Sequence, residues 1–203
     1  MIDLLFRGGL RLLTGAQTFW KGEAYPYPEK VQVYFANHSS HLDAVLIWSV
    51  LPPELRSKTR PVAARDYWNK YRFRRHLSQK VFRAVLIERT HCTKENHPVL
   101  QLTEVLDGGD SLIFFPEGSR GGGEETGTFK SGLHHLVSRF PDAEYIPVYL
   151  ENLNRVLPKG EVLPVPLICT VTFGNALPLI ADESRNDFLH RAREAVLNLK
   201  REL

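Results

Sequence analysis

The order of apolar and polar residues predicts strands that alternate with helices. Short apolar runs, typical of buried strands, occupy residues 31–36, 60–64, 85–87, 111–115, 145–150 and 167–173. Stretches with helical spacing occupy residues 44–51, 66–82, 95–106, 132–140 and 182–203. We expect Asp43 or Ser40 to cap the first of these helices and Asp182 the last. The alternation predicts a single-domain α/β fold with a central mixed, mostly parallel sheet covered by helices.

The beginning of the chain has an amphipathic pattern. In a helical projection of residues 1–21, most apolar side chains lie on one side, and Arg7, Arg11 and Lys21 lie opposite. We therefore expect an N-terminal amphipathic helix over residues 1–21 and the main domain over residues 22–203. Such a helix can lie on a membrane surface, but it can also be an ordinary helix that packs on the core.

Composition and charge exclude several classes of protein. The apolar share of 43% and the charged share of 24% are ordinary for a globular protein. The net charge of +3 is small for a nucleic-acid-binding protein, so we expect no nucleic-acid partner. No apolar run approaches the roughly 18–20 residues that cross a bilayer. Because Cys92 and Cys169 lack metal or redox spacing and no signal pattern is present, we expect reduced thiols and a cytoplasmic protein attached peripherally to the inner face of the cell membrane.

The sequence NHSSHLD at residues 37–43 joins the first predicted strand to the first predicted helix. It sets His38 and Asp43 five positions apart, so both side chains can meet at the edge of the sheet. A neutral imidazole can remove a proton from a hydroxyl group, and a carboxylate can hold its tautomer and stabilise the imidazolium. A lone histidine is more often structural, and we expect His41 to point elsewhere. The pair therefore indicates a general base with an orienting acid.

Charged residues follow other predicted strands. They are Arg89, Glu117, Arg120 and Lys130. Cations at strand ends are suited to phosphate, which arginine can bind through two parallel hydrogen bonds. Since no serine lies in a GxSxG elbow, direct attack by an acceptor hydroxyl is the simplest mechanism. The histidines match no zinc-binding spacing, so we expect no metal.

These motifs resemble those of the glycerolipid acyltransferase family, which includes 1-acylglycerol-3-phosphate acyltransferases. Residues 37–43 resemble the first motif of the family, and FPEGSR at residues 115–120 resembles the third. AVLIER at residues 84–89 resembles the second, with Ala84 in place of the usual glycine, and IPV at residues 146–148 resembles the fourth. Two long motifs in the right order make the resemblance specific.

The resemblance implies a role for each matched residue. His38 deprotonates the acceptor hydroxyl, Asp43 supports His38, and Glu117 organises the catalytic site. Arg89 and Arg120 hold the acceptor phosphate. The full substrate-binding set that it implies is Arg89, Gly118, Ser119, Arg120 and Lys130.

The implied reaction moves a fatty acyl group from a coenzyme A or acyl-carrier-protein thioester to a lysophospholipid hydroxyl. The foremost acceptor is 1-acylglycerol-3-phosphate, which gives phosphatidic acid, and no cofactor is needed. One alternative is a catalytically silent lipid- or membrane-binding protein of the same fold. Another is an acyltransferase for a hydroxyl acceptor that is not a glycerolipid. The aromatic and basic residues between Tyr67 and Arg75 leave contact with lipid, nucleic acid or solvent open, although the modest net charge disfavours nucleic acid.

Overall fold

Seven strands form one sheet in the computed structural model, which describes residues 15–21, 30–88, 97–119, 126–153 and 168–200. The strands are β1 (Gln17–Trp20), β2 (Gln32–Ala36), β3 (Thr59–Ala64), β4 (Val85–Ile87), β5 (Ser111–Phe114), β6 (Glu144–Glu151) and β7 (Thr170–Phe173). The helices are α1 (Asp43–Val50), α2 (Pro53–Ser57), α3 (Arg65–Trp68), α4 (Arg72–His76), α5 (Pro98–Asp107), α6 (Gly132–Arg139) and α7 (Arg185–Leu197), and a π-helical turn spans Leu77–Val81.

The strand order is β1-β7-β6-β2-β5-β3-β4. Every neighbouring pair is parallel except β6 and β7, which are antiparallel. Strands β1 and β7 therefore run opposite to the other five. This topology confirms the predicted single α/β domain with a mixed, mostly parallel sheet.

The position of β2 at the centre of the sheet explains why its residues are mostly apolar. All five residues of β2 are buried, because β2 lies between β5 and β6 and helices cover both of its faces. Val33 and Phe35 belong to the core beneath α5, α6 and α7. Tyr34 and Ala36 belong to the core beneath α1. Alternate residues of one strand thus serve two cores.

The predicted N-terminal helix is wrong over Gln17–Trp20, which forms the edge strand β1. This strand pairs with β7, and the ring of Trp20 stacks on Phe173 at a centroid distance of 4.0 Å. Gly15 has a φ of 52°, a left-handed conformation that a continuous helix does not accommodate. Pairing with a sheet edge therefore outweighs the helical spacing of the apolar residues. The part of the prediction at residues 1–14 lies outside the described residues.

The helical region predicted at residues 66–82 is divided into α3, α4 and the π-helical turn. The interruption lies at Asn69, which caps α3, and at Tyr71, which is extended with φ −126° and ψ 142°. The single helical region predicted from the sequence is therefore three short pieces. Among the described residues, none of the helices has the length and apolar character needed to cross a membrane.

The predicted start of the last helix at Asp182 is also wrong. Helix α7 begins at Arg185, and its N-cap is Ser184, whose hydroxyl oxygen accepts a hydrogen bond from the backbone N–H of Asp187 at 3.2 Å. Asp182 lies in a turn with a φ of 58°. This left-handed backbone conformation does not fit a right-handed helix, so the helix begins after the turn.

Candidate active site

Strand order brings the two principal motifs together. Strands β2 and β5 are parallel neighbours, with Phe35 paired to Phe114, so the loops that follow them share one edge of the sheet. The backbone N–H of His38 donates a hydrogen bond to Glu117 Oε1 at 2.7 Å. The two motifs are therefore joined directly.

His38 and Asp43 form the predicted pair. His38 Nδ1 lies 2.8 Å from Asp43 Oδ2, and the same oxygen accepts backbone N–H groups of Ser39 at 2.7 Å and Ser40 at 2.9 Å. Asp43 is fully buried, while the side chain of His38 keeps 22% of its exposure. Because the carboxylate can only accept, Nδ1 is assigned the hydrogen, which leaves the Nε2 lone pair available for a proton.

The predicted capping role of Asp43 or Ser40 is wrong. Helix α1 starts at Asp43 with Leu42 as its N-cap, and no side chain there makes a capping hydrogen bond. Asp43 Oδ2 instead turns back toward the preceding loop, where three N–H groups converge on it. Asp43 Oδ1 is buried and has no hydrogen-bond partner among the described residues. The carboxylate thus organises the loop before the helix.

The imidazole of His38 is also held from its face. The ring of Phe115 stacks on it with a centroid distance of 4.2 Å and an interplanar angle of 21°. Asp43 fixes the edge of the imidazole and Phe115 fixes its plane. The orientation of His38 is therefore set by contacts from both motifs.

Glu117 is a buried clamp between loops. One carboxylate oxygen accepts the His38 N–H, and the other accepts the backbone N–H of Gly127 at 3.0 Å. A Cβ atom at Gly127 would lie 2.9 Å from Glu117 Oε2, so a larger residue there would displace the carboxylate. Both oxygens accept hydrogen bonds from backbone amides, so Glu117 holds the loop that contains His38 through its backbone.

Asn37 is a positioning residue that the sequence reasoning missed. Its Nδ2 donates to the carbonyl oxygen of Leu150 at 2.9 Å, and its Oδ1 accepts the Leu150 N–H at 2.8 Å. The amide thus continues the hydrogen bonding between β2 and β6 by one further residue. A polar residue directly after a buried, mostly apolar strand was the available signal, because a buried amide needs partners.

A cleft of about 600 Å³ opens beside His38. Its polar lining includes His38, His41, Glu88, Ser119, Lys130 and Ser131. Its apolar lining includes Val62, Ala64, Ile87, Val99, Leu102 and Phe114. A lining of both kinds suits a molecule with a polar head and an apolar chain.

Three of the predicted substrate-binding residues line this cleft: Gly118, Ser119 and Lys130. Gly118 has a φ of 69°, and a Cβ atom there would lie 3.1 Å from Lys130 Nζ. Glycine therefore permits both the turn and the close approach of the ammonium group. The other two, Arg89 and Arg120, lie outside the described residues.

His41 lies on the wall of the same cleft. Its ring stacks on Tyr67 at 4.2 Å, and the guanidinium carbon of Arg74 lies 4.4 Å from the centroid of the same tyrosine. Tyr67, which belongs to the segment after β3, thus contacts both His41 and Arg74. His41 contacts this segment, whereas His38 contacts Asp43.

Cys169 is a buried thiol close to the site. Burial, together with the negative charge of Asp43, raises the pKa of Cys169 to about 11. The thiol therefore stays protonated near neutral pH, where it is a weak nucleophile. Within the described ranges, no cluster of three or more histidine, cysteine or acidic side chains is arranged to hold a metal. Cys92 lies outside those ranges.

The chain is similar to known proteins in sequence and in fold. The Acyltransferase family model matches residues 19–151. A 1-acyl-sn-glycerol-3-phosphate acyltransferase of Chlamydomonas reinhardtii is 26% identical over 180 residues, which cover 86% of this chain and 50% of that protein. The chain thus spans about half the length of this curated relative.

The fold also matches a solved structure. The 1-acyl-sn-glycerophosphate (LPA) acyltransferase PlsC from Thermotoga maritima aligns with a TM-score of 0.74 and 17% sequence identity. The alignment covers 99% of this chain and 79% of that one. At this level of identity the match shows that the two chains share a fold.

Proposed function

Because the chain belongs to the acyltransferase family, we propose that it transfers a fatty acyl group from a thioester to the hydroxyl group of a lysophospholipid. The observation that carries this proposal is the pair of His38 and Asp43 at the wall of a cleft with polar and apolar parts. We favour 1-acylglycerol-3-phosphate as acceptor, as named for the relative from Chlamydomonas reinhardtii. The product is then phosphatidic acid.

In the proposed mechanism, His38 Nε2 takes the proton of the acceptor hydroxyl while the hydroxyl oxygen attacks the thioester carbonyl carbon. The tetrahedral intermediate collapses, the carbon–sulfur bond breaks, and the departing thiolate takes the proton back from His38. Asp43 stabilises the transient imidazolium through Nδ1. A positioned general base contributes typically about 10²- to 10⁴-fold to the rate. No covalent bond to the protein is formed.

The residues around His38 suit the two parts of the acceptor. We assign the phosphate to the part of the cleft that Lys130, Gly118 and Ser119 line, where the side chain of Lys130 lies against Gly118. Arg89 and Arg120 join this phosphate site in the proposal, on the resemblance of their motifs. The apolar lining residues then contact an acyl chain. Glu117 acts on the reaction by holding the backbone of His38 in place.

Both coenzyme A and acyl carrier protein are candidate carriers of the acyl donor, and no cofactor is part of the mechanism. The reaction is proposed to take place at the inner face of the cell membrane, where long-chain lysophospholipids are found. The protein then associates with the membrane from the cytoplasmic side.

The direct test uses the wild-type protein and His38→Ala with a panel of acyl donors and lysolipids. We expect an acylated product by mass spectrometry, release of thiol that requires both substrates, and a kcat for His38→Ala lower by about 10²- to 10⁴-fold. Full turnover by a folded His38→Ala protein would refute the assigned base. Lipid binding without thioester consumption would favour the catalytically silent lipid-binding protein. A product only from non-glycerolipid acceptors would favour an acyltransferase for such acceptors.

The acceptor phosphate is tested separately with Lys130→Met, which keeps an unbranched side chain one atom shorter and removes its charge. We expect KM to rise for 1-acylglycerol-3-phosphate and to stay unchanged for monoacylglycerol, which lacks the phosphate. An equal rise for both acceptors would mean that Lys130 does not recognise the phosphate.

A further inference from the structure

Positive charge is concentrated in residues 65–83, which form α3, α4 and the π-helical turn. This segment contains seven lysine and arginine residues and one acidic residue, Asp66. The whole chain has a net charge of only +3, so the rest of the chain is net negative. The segment is therefore well suited to attract an anionic surface.

The same segment exposes large aromatic side chains. Phe73 is 70% exposed and Tyr71 is 53% exposed. The ammonium group of Lys70 and the guanidinium group of Arg74 lie 5.6 Å and 5.0 Å from the ring of Tyr71. Exposed aromatic rings among cations are typical of surfaces that lie at a membrane interface.

The segment is continuous with the cleft. Tyr67 and Trp68, at its start, line the cleft that contains His38. The ring of Tyr67 stacks on His41 on one side and contacts Arg74 on the other. The exposed surface of the segment and the wall of the cleft are therefore adjacent.

We propose that residues 70–76 dock on the surface of an anionic lipid bilayer, with Phe73 and Tyr71 in the interfacial layer. The cleft then receives its lysolipid from this surface, a step that rests on the proposed function. An acidic protein could satisfy the charges, but it would need a matching pocket for the side chain of Phe73. A bilayer buries that side chain without shape complementarity, which favours lipid.

The charge component is tested in the full chain by sedimentation with phosphatidylcholine vesicles, with and without phosphatidylglycerol. The variant is Arg72→Gln/Arg75→Gln, and the matched control is Arg139→Gln/Arg185→Gln; all four side chains are exposed. A charge near an anionic surface contributes about 1 kcal/mol, or about fivefold in affinity, so we expect roughly 30-fold weaker binding for the first pair. The control should bind like the wild type, and added salt should weaken wild-type binding.

The aromatic component is tested with Phe73→Ala against Ile180→Ala, which removes an exposed apolar side chain elsewhere, where Ile180 is 55% exposed. We expect several-fold weaker binding to phosphatidylglycerol vesicles for Phe73→Ala alone. Equal binding by the two variants would remove Phe73 from the interface and overturn the proposal.

Turnover distinguishes this proposal from the proposed function. With a lysolipid below its micelle concentration, Arg72→Gln/Arg75→Gln should keep the wild-type kcat, and with acceptor in vesicles it should lose activity in step with binding. The proposal that this segment docks on lipid would be overturned if this variant bound vesicles like the wild type, or if the control variant lost as much binding. Loss confined to reactions with acyl carrier protein would assign the segment to that acidic protein instead. If no protein turns over, the proposed function fails while the vesicle measurements still decide the docking surface.

Discussion

At the scale of single residues, the site depends on how one imidazole is held. Asp43 binds its Nδ1 and Phe115 covers its face. The remaining nitrogen is the one that can act on an acceptor. Each of these contacts constrains a different degree of freedom of the ring, so they have separable effects.

Asp43→Asn tests the support of the base. The amide oxygen can still accept N–H groups, but it is neutral and no longer stabilises an imidazolium. We therefore expect kcat to fall by about 10²- to 10⁴-fold with little change in KM. Steady-state kinetics on protein with wild-type circular dichroism measures the effect, and near-wild-type turnover would contradict it.

Glu117→Gln tests whether Glu117 positions the loop or acts chemically. Glutamine can accept only one of the two backbone N–H groups, so the other faces an amide NH₂ group. We expect a loss of about 1–3 kcal/mol in the free energy of unfolding, measured by denaturant titration. The kcat should fall while the midpoint of its pH profile stays in place. A shifted midpoint would mean that the charge of Glu117 acts on the His38 ring.

At the scale of elements, the site is held by links between strand ends. The loop after β2 is attached to β6 through Asn37 and to the loop after β5 through Glu117. The two links lie on opposite sides of β2, because β6 and β5 flank it. The loop that contains His38 is therefore attached to both of its neighbours.

Asn37→Ala removes the link to β6. The N–H and carbonyl groups of Leu150 lose their buried partner. We therefore expect the free energy of unfolding to fall by about 1–3 kcal/mol. Activity should fall as well, because the loop that contains His38 loses one attachment. Ser57→Ala is a suitable control, since it removes an exposed hydrogen bond to Glu54 and should change stability by less than about 0.5 kcal/mol. Equal unfolding midpoints for the two variants would contradict this prediction.

At the scale of the whole molecule, the sheet includes a strand that the sequence pattern assigned to a helix. Strand β1 extends the sheet beyond β7, and its Trp20 covers Phe173 in the core. Residues 17–20 therefore belong to the sheet of the main domain, although the sequence pattern assigned them to a separate N-terminal helix.

Deletion of residues 1–20 should thus destabilise the protein more than deletion of residues 1–14, which keeps β1. Loss of the buried Trp20 contact is expected to cost about 2–3 kcal/mol. For a chain of this size that lowers Tm by roughly 4–12 °C relative to the shorter deletion. Thermal unfolding of the two truncated proteins measures the difference, and equal Tm values would show that β1 adds nothing to the fold.

The sequence alone determined the features that depend on near neighbours. Apolar periodicity located most strands and helices, and a spacing of five positions brought His38 to Asp43, because both effects act over one or two turns of chain. Tertiary structure decided which strands are neighbours, and with them the contacts of His38 with Glu117 and of Asn37 with Leu150, which span 79 and 113 residues. It also decided that Gln17–Trp20 is a strand. The physical reason is that buried backbone and side-chain polar groups must find partners wherever the fold provides them, and local propensity does not specify a distant partner.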